Sequence, residues 1–186
     1  MANKDAAFGL KAIGKVGQNK DNQGLSEYSI AASATAIYQN DPVQMLDTGT
    51  IGVAAAGDVL LGSLNGVFYT DSSSSKPTWE NHLAASNAAT DIVGFISDDP
   101  YERFEVQSAG TVAQTNIGNC ADIVYAAGSS PNFVSKVEIS GTMAATAAQL
   151  KIIGVSKDPD NSELGAANAN VIVTINEHFL KQTAGI

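Results

Sequence analysis

The chain has 186 residues, of which 44% are hydrophobic but only 6% aromatic, and it carries a net charge of −9. At 19.1 kDa, surface scaling gives a folded surface of about 8,400 Å² against about 27,700 Å² unfolded, so a core can form without a disulfide or structural metal. The single cysteine, Cys120, excludes an internal disulfide, and an acidic chain with one arginine, Arg103, argues against nucleic-acid binding, which calls for clustered Arg and Lys.

The charge is uneven. Residues 1–20 carry Lys4, Lys11, Lys15 and Lys20 against Asp5, a balance of +3, while the remainder stands at −12. With Gly9, Gly14, Gly17 and Gly24 spaced through it and little periodicity, residues 1–25 read as an extended, basic N-terminal arm. No apolar h-region lies between Met1 and Lys20, so a Sec signal is not expected, and no apolar run approaches the length of a membrane span.

From Ser26 to the end the pattern predicts one β-rich domain. Tyr28 and Ile30 alternate with Ser29, and Ile37-Tyr38 leads through the turn Asn40-Asp41-Pro42 into Val43–Leu46. Ile51–Ala55, Val59–Leu61 and Val67–Tyr69 follow, each of strand length and each bounded by Gly or Gly-Asp. Ser72–Ser75 opens a polar stretch that reads as a long loop over 70–90 and contains the only tryptophan, Trp79. Ile92–Ile96 has the continuous apolar character of a strand buried on both faces, whereas Phe104 and Val106 alternate with Arg103, Glu105 and Gln107 as in a half-exposed strand. Short helical segments are predicted at Thr111–Asn119 and in the Ala-rich Thr142–Ala148. Further strands fall at Ile123–Tyr125, around Val137 and Ile139, at Leu150–Val155 and at Val171–Ile175, with a turn at Asp158–Asn161. The fold class expected is all-β, a barrel or sandwich, with an extended arm and one or two short helices.

No motif points to catalysis. Gly9-x4-Gly14-Lys15 imitates a phosphate loop but is followed by Val16 instead of Ser or Thr, and no strand precedes it. Asp158-Pro-Asp160-Asn-Ser162 begins like a calcium loop, but Glu163 and Ala169 stand where Gly and Glu are required. His82 and His178 have no partner at metal-ligand spacing, no Gly-x-Ser-x-Gly elbow occurs, and Cys120 reads as a small apolar filler. Asp98, Asp99, Glu102 and Glu105 supply carboxylates for glycoside cleavage on paper. In so aromatic-poor a chain they read as a solvated acidic edge. Neither catalytic residue, cofactor nor metal ligand is therefore assigned.

Several segments in this order carry a resemblance: Tyr28-Ser-Ile30; Ala36-Ile-Tyr38 running into Asp41-Pro-Val43; Ala56-Gly-Asp58 with Leu61-Gly62; Asp98-Asp-Pro100 followed by Phe104-Glu-Val-Gln107; Leu150-Lys-Ile-Ile-Gly154; Asp158-Pro-Asp-Asn161; and Val173-Thr-Ile-Asn176-Glu-His178. Together they resemble the small capsid-decorating, or cement, proteins of tailed phages. The resemblance implies a β-rich fold and no cofactor. It implies a place on the outer surface of the virion capsid after synthesis in the host cytoplasm, the major capsid protein as partner, and self-association as a homotrimer. On this reading the arm lies across an acidic groove of the shell, with Lys4, Phe8, Lys11, Lys15 and Lys20 as contact candidates. Neither nucleic acid nor membrane is a partner. The competing expectations are another virion component (a tail or major capsid subunit), a virion hydrolase, and a host-surface glycan-binding module using Trp79, Phe68 and Tyr69.

Overall fold

The computed structural model describes residues 2–17 and 24–182. The chain is all-β, with thirteen strands among the described residues: β1 (Lys11–Lys15), β2 (Ser26–Ser29), β3 (Pro42–Met45), β4 (Ile51–Val53), β5 (Gly62–Thr70), β6 (Pro77–Glu80), β7 (Val93–Ser97), β8 (Glu102–Gln107), β9 (Cys120–Ala121), β10 (Ile123–Val124), β11 (Glu138–Ile139), β12 (Leu150–Val155) and β13 (Asn170–Ile175). Two 3-10 turns, Gln114–Asn116 and Phe179–Lys181, are the helical segments among the described residues.

Strand pairing curls the chain into two small rings. In the first the order is β2-β7-β5-β3-β4, and a parallel bridge from Ile30 to Ile51 joins its two outermost strands. In the second, β8, β13, β12 and β9 pair in that order. β10 follows β9 after Asp122 and pairs with β11, and Ser108, at the end of β8, bridges Ile139 of β11. Each ring encloses its own apolar cluster. Ile30, Val43, Ile51, Leu64, Val67 and Ile96 fill the first. Phe104, Val106, Ile139, Leu150, Val171 and Val173 are among those filling the second. The cause is the period-2 alternation of the strands: Val171, Val173 and Ile175 are buried while Ile172 and Thr174 are half-exposed, so one face of each strand turns inward.

Polar and aromatic contacts fasten the rings together. Gln149 donates to the carbonyls of Ala55 and Asp58 at 2.8 and 2.7 Å and accepts from the Ile123 amide at 3.0 Å. Leu60 and His178 are bridged, with Leu60 N donating to Glu177 O and Phe179 N donating to Leu60 O. The His82 ring stacks on Phe133 and lies parallel to Tyr38, with centroids 3.9 and 6.2 Å away and planes within 8°.

Residues 2–10 are extended, but they lie against the second ring instead of projecting from it. Buried amide side chains hold them. Asn3 donates to the carbonyls of Glu163 and Ala167, Asn161 donates to Lys4 O and accepts from Lys4 N, and Gln107 donates to Lys4 O and accepts from Ala6 N. Leu10 is fully buried. Gly9 has φ +75°, and a Cβ there would come within 2.5 Å of the Asn40 carbonyl and Ser135, which is why the closest approach of this segment falls on a glycine. β1 then pairs antiparallel with β8. The exposed Lys4 is ion-paired with the equally exposed Asp160. Because both groups stay in water, Lys4→Ala is expected to leave the urea unfolding midpoint essentially unchanged, in contrast to the buried amides beside it.

Two local expectations are corrected. Thr142–Ala148 is not helical. It is too short to nucleate a helix, its small side chains provide no apolar stripe, and Ala144 exchanges both backbone hydrogen bonds with Cys120. The 70–90 stretch is not simply a loop. Thr70–Pro77 closes a hairpin in which β6 pairs with β5, and Leu83 and Ala89 return to the first core. Val67–Tyr69 of the partner strand presents a ready edge that the Pro-Thr-Trp-Glu segment completes.

Candidate docking surfaces

Of the acidic residues singled out in the sequence, Asp98 and Asp99 line one shallow, open pocket beside Lys15 and Leu180, and Glu102 and Glu105 lie outside it. Asp98 accepts from the Ser26 and Tyr28 hydroxyls at 2.9 and 2.6 Å, tying β2 to the link between the rings. Asp99 pairs with Lys15 at 2.8 Å and caps the turn by accepting from Tyr101 N at 2.7 Å. The Lys15 ammonium and that amide hold its carboxyl below the usual range. Glu102 is buried and accepts from Gly14 N at 3.0 Å, and burial raises its pKa. Glu105, half-exposed, sits across from Lys11 in the β1–β8 ladder. Asp98, Asp99 and Glu102 thus serve local architecture. Among the described residues no group of three His, Cys, Asp or Glu side chains is arranged to hold a metal ion, and no helix is long and apolar enough to cross a membrane.

The contact candidates of the N-terminal segment are dispersed. Lys4 is paired with Asp160 and Lys15 with Asp99, Phe8 is half-buried, Lys11 is exposed, and Lys20 lies outside the described residues. Two of these lysines thus already pair with carboxylates of the body.

Two exposed apolar surfaces stand out instead. The first is a pole where three separate segments meet: the end of β1, the link between the rings, and the C-terminal 3-10 turn. Val16, Tyr101 and Leu180 are 51%, 65% and 51% exposed there. Their positions are set by strong local bonds. Val16 N donates to Tyr101 O at 2.9 Å, and the Lys181 ammonium sits 5.2 Å from the centre of the Tyr101 ring while donating to Ile175 O. The His178 ring accepts from Leu180 N at 3.1 Å, capping the turn. His178 itself is buried, and burial, with Lys181 nearby, lowers its pKa to about 4.

The second surface is an aromatic shelf on the outer face of the first ring. Phe68 and Trp79 are cross-strand partners, 40% and 52% exposed. Phe95, half-exposed on β7, packs at 4.8 Å from the indole with planes tilted by 54°. The indole lies over Gly66, where a Cβ would come within 2.6 Å of Cζ2. A glycine at that position is what lets the ring settle onto the sheet. Tyr69, the third aromatic considered in the sequence, points inward and is buried.

The sequence offered Trp79 and Phe68 of the shelf but not Phe95, and nothing of the pole. Ile92–Ile96 reads as buried on both faces, yet only Ile92, Gly94 and Ile96 are, and Val93 and Phe95 face outward. The available signal was Gly94, a residue without a side chain in mid-strand, seated against Ile30 and Ile51. Nothing local links Val16, Tyr101 and Leu180, which are brought together only by the sheet topology.

Comparison of the chain with protein-family models, curated proteins and solved structures returns no match.

Proposed function

We propose that this protein is a non-enzymatic structural component of a tailed-phage virion that binds the outer surface of the capsid and cements neighbouring major capsid subunits. The observation that carries this reading is the pole: three large apolar side chains from distant parts of the chain, held outward in fixed positions by an ion pair, a capped turn and a cation–π contact. Interfaces draw most of their energy from a few such pre-positioned residues, tyrosine prominent among them. Two interlocked rings with internally bonded carboxylates provide a rigid support for that contact, and a subunit that binds assembled shell but not free capsid subunits stabilises the shell by mass action. The segment resemblance to cement proteins points the same way.

Purified protein mixed with undecorated heads is expected to sediment with them at a fixed copy number set by the lattice. Tyr101→Ser with Leu180→Ser is expected to weaken that association at least tenfold while leaving the unfolding midpoint within error of the parent chain, as for loss of an interface hot spot. Retained head binding in the double variant would remove the pole from the interface, and no binding to heads at all would remove the reading itself.

A further inference from the structure

We propose that the Phe68–Trp79–Phe95 shelf is a binding site for neutral sugars, taking the ring face of a hexopyranose in a short oligosaccharide. The geometry is that of a built platform. The indole is laid over Gly66, buttressed at its edge by Phe95 and extended by Phe68 directly across the ladder. An aromatic face is the negative side of its quadrupole, and the axial C–H bonds of a pyranose offer a matching flat, weakly positive face.

Size selects the class of occupant. Taking 150–250 Å² for a whole aromatic side chain, the exposed parts of Trp79 and Phe68 come to on the order of 200 Å². A stable protein partner requires about 800 Å² from each side, which the aromatic faces of the shelf do not supply by themselves. One or two sugar rings match it. The rim adds hydrogen-bonding groups of the right kind. Exposed Glu27 stands across from Phe95 in the β2–β7 ladder and exposed Ser29 stands across from Val93, offering acceptors to sugar hydroxyls.

Charge narrows the class further. A carboxylate at the rim of a chain carrying −9 repels uronic and sialic acids, leaving neutral hexoses. The shelf shares no residue with the pole, so this inference and the shell-contact reading stand or fall separately.

Trp79 is the only tryptophan in the chain, so its emission reports this site alone. The full-length protein is titrated with maltohexaose, cellohexaose and laminarihexaose, and with a hyaluronate oligosaccharide as the anionic comparison. A saturable shift or quench of emission with at least one neutral oligomer, and a weaker response to hyaluronate, is expected. Gly66→Ala, which forces the indole off its seat, is expected to weaken binding roughly tenfold. Trp79→Ala, followed by calorimetry, is expected to abolish it, and Leu180→Ser to leave it unchanged. The proposal is overturned if no neutral oligomer perturbs the emission at millimolar concentrations, if hyaluronate binds more tightly, or if Trp79→Ala binds as well as the parent. Loss of head binding in Trp79→Ala without any sugar response would make the shelf a protein contact and overturn it as well.

Discussion

Deleting residues 1–10 is expected to destabilise the protein by at least about 4 kcal/mol, measured as the urea unfolding free energy of the truncated chain against the full-length one. Two losses combine. The fully buried Leu10 leaves a gap in the second core, and Leu-to-Ala changes at such sites cost about 2–5 kcal/mol. The amides of Asn161 and Gln107 lose the backbone of Lys4 and Ala6, and each buried polar group left without a partner costs about 1–3 kcal/mol. Leu10→Ala alone should reproduce the first part. If the truncated chain unfolds at the same urea concentration as the parent, residues 2–10 are not part of the folded body in solution. The expectation also bears on how the shell contact is tested. A truncation that abolishes head binding reports folding as much as contact, whereas exposed side chains at the pole report contact alone.

Asp41→Asn is expected to raise stability at pH 7 by at most about 3 kcal/mol, less the cost of placing an amide N–H2 where Oδ1 has no hydrogen-bond partner, and to lose that advantage as the pH falls to about 4. Asp41 is fully buried beside Tyr38 and Ser135, with Oδ2 accepting from the Tyr38 amide at 2.8 Å. Burial pushes its pKa up to about 6, with the Ser135 hydroxyl and the Tyr38 amide offsetting part of the effect. A carboxyl whose folded pKa exceeds its unfolded one stabilises the fold fully below the unfolded value, and that contribution disappears as the pH rises through about 6. His178 runs the other way. Its folded pKa of about 4 lies below the ordinary 6.5, so its contribution is complete above 6.5 and is lost as the pH falls through 4.

Between about pH 4 and 6.5 the two slopes therefore oppose each other, at 1.36 kcal/mol per pKa unit of difference. In Asp41→Asn the amide oxygen still accepts from Tyr38, the proton-linked term of residue 41 vanishes, and the His178 slope is exposed. Urea unfolding of parent and variant at pH 7, 5.5 and 4.5 checks this through the difference between them, which cancels every other titrating group. A difference that does not change with pH would mean that Asp41 titrates as an ordinary solvated carboxyl.

Strand positions were largely legible in the sequence, because an alternation of period 2 is a local property. Phe104 and Val106 against Arg103 and Glu105, and Val171, Val173 and Ile175 against Ile172 and Thr174, turn inward and outward as their spacing requires, but Gln107, read with the outward set, is fully buried because its amide holds the backbone of Lys4 and Ala6. The Asp158–Asn161 turn is likewise local: Asp158 Oδ1 accepts from its own backbone two residues on, at Asp160 N. Failures came where the outcome hung on what lay across the ladder. Thr142–Ala148 stayed irregular because Ala144 exchanges its backbone hydrogen bonds with Cys120. Phe95 stayed half-exposed because it occupies the outer face of a ring that closes through Ile30 and Ile51.

The sequence by itself determined that this is an all-β chain of short strands, acidic over most of its length and with no local motif of catalysis. Composition, turn residues and strand periodicity are written residue by residue. Only the tertiary structure decided that the strands form two rings with separate cores, that residues 2–10 are fastened to the second of them, and that Val16, Tyr101 and Leu180 share one pole. Those outcomes depend on pairings between residues up to 164 positions apart, such as Asn3 with Ala167, and no spacing along the chain encodes which distant edge a strand or an amide will meet.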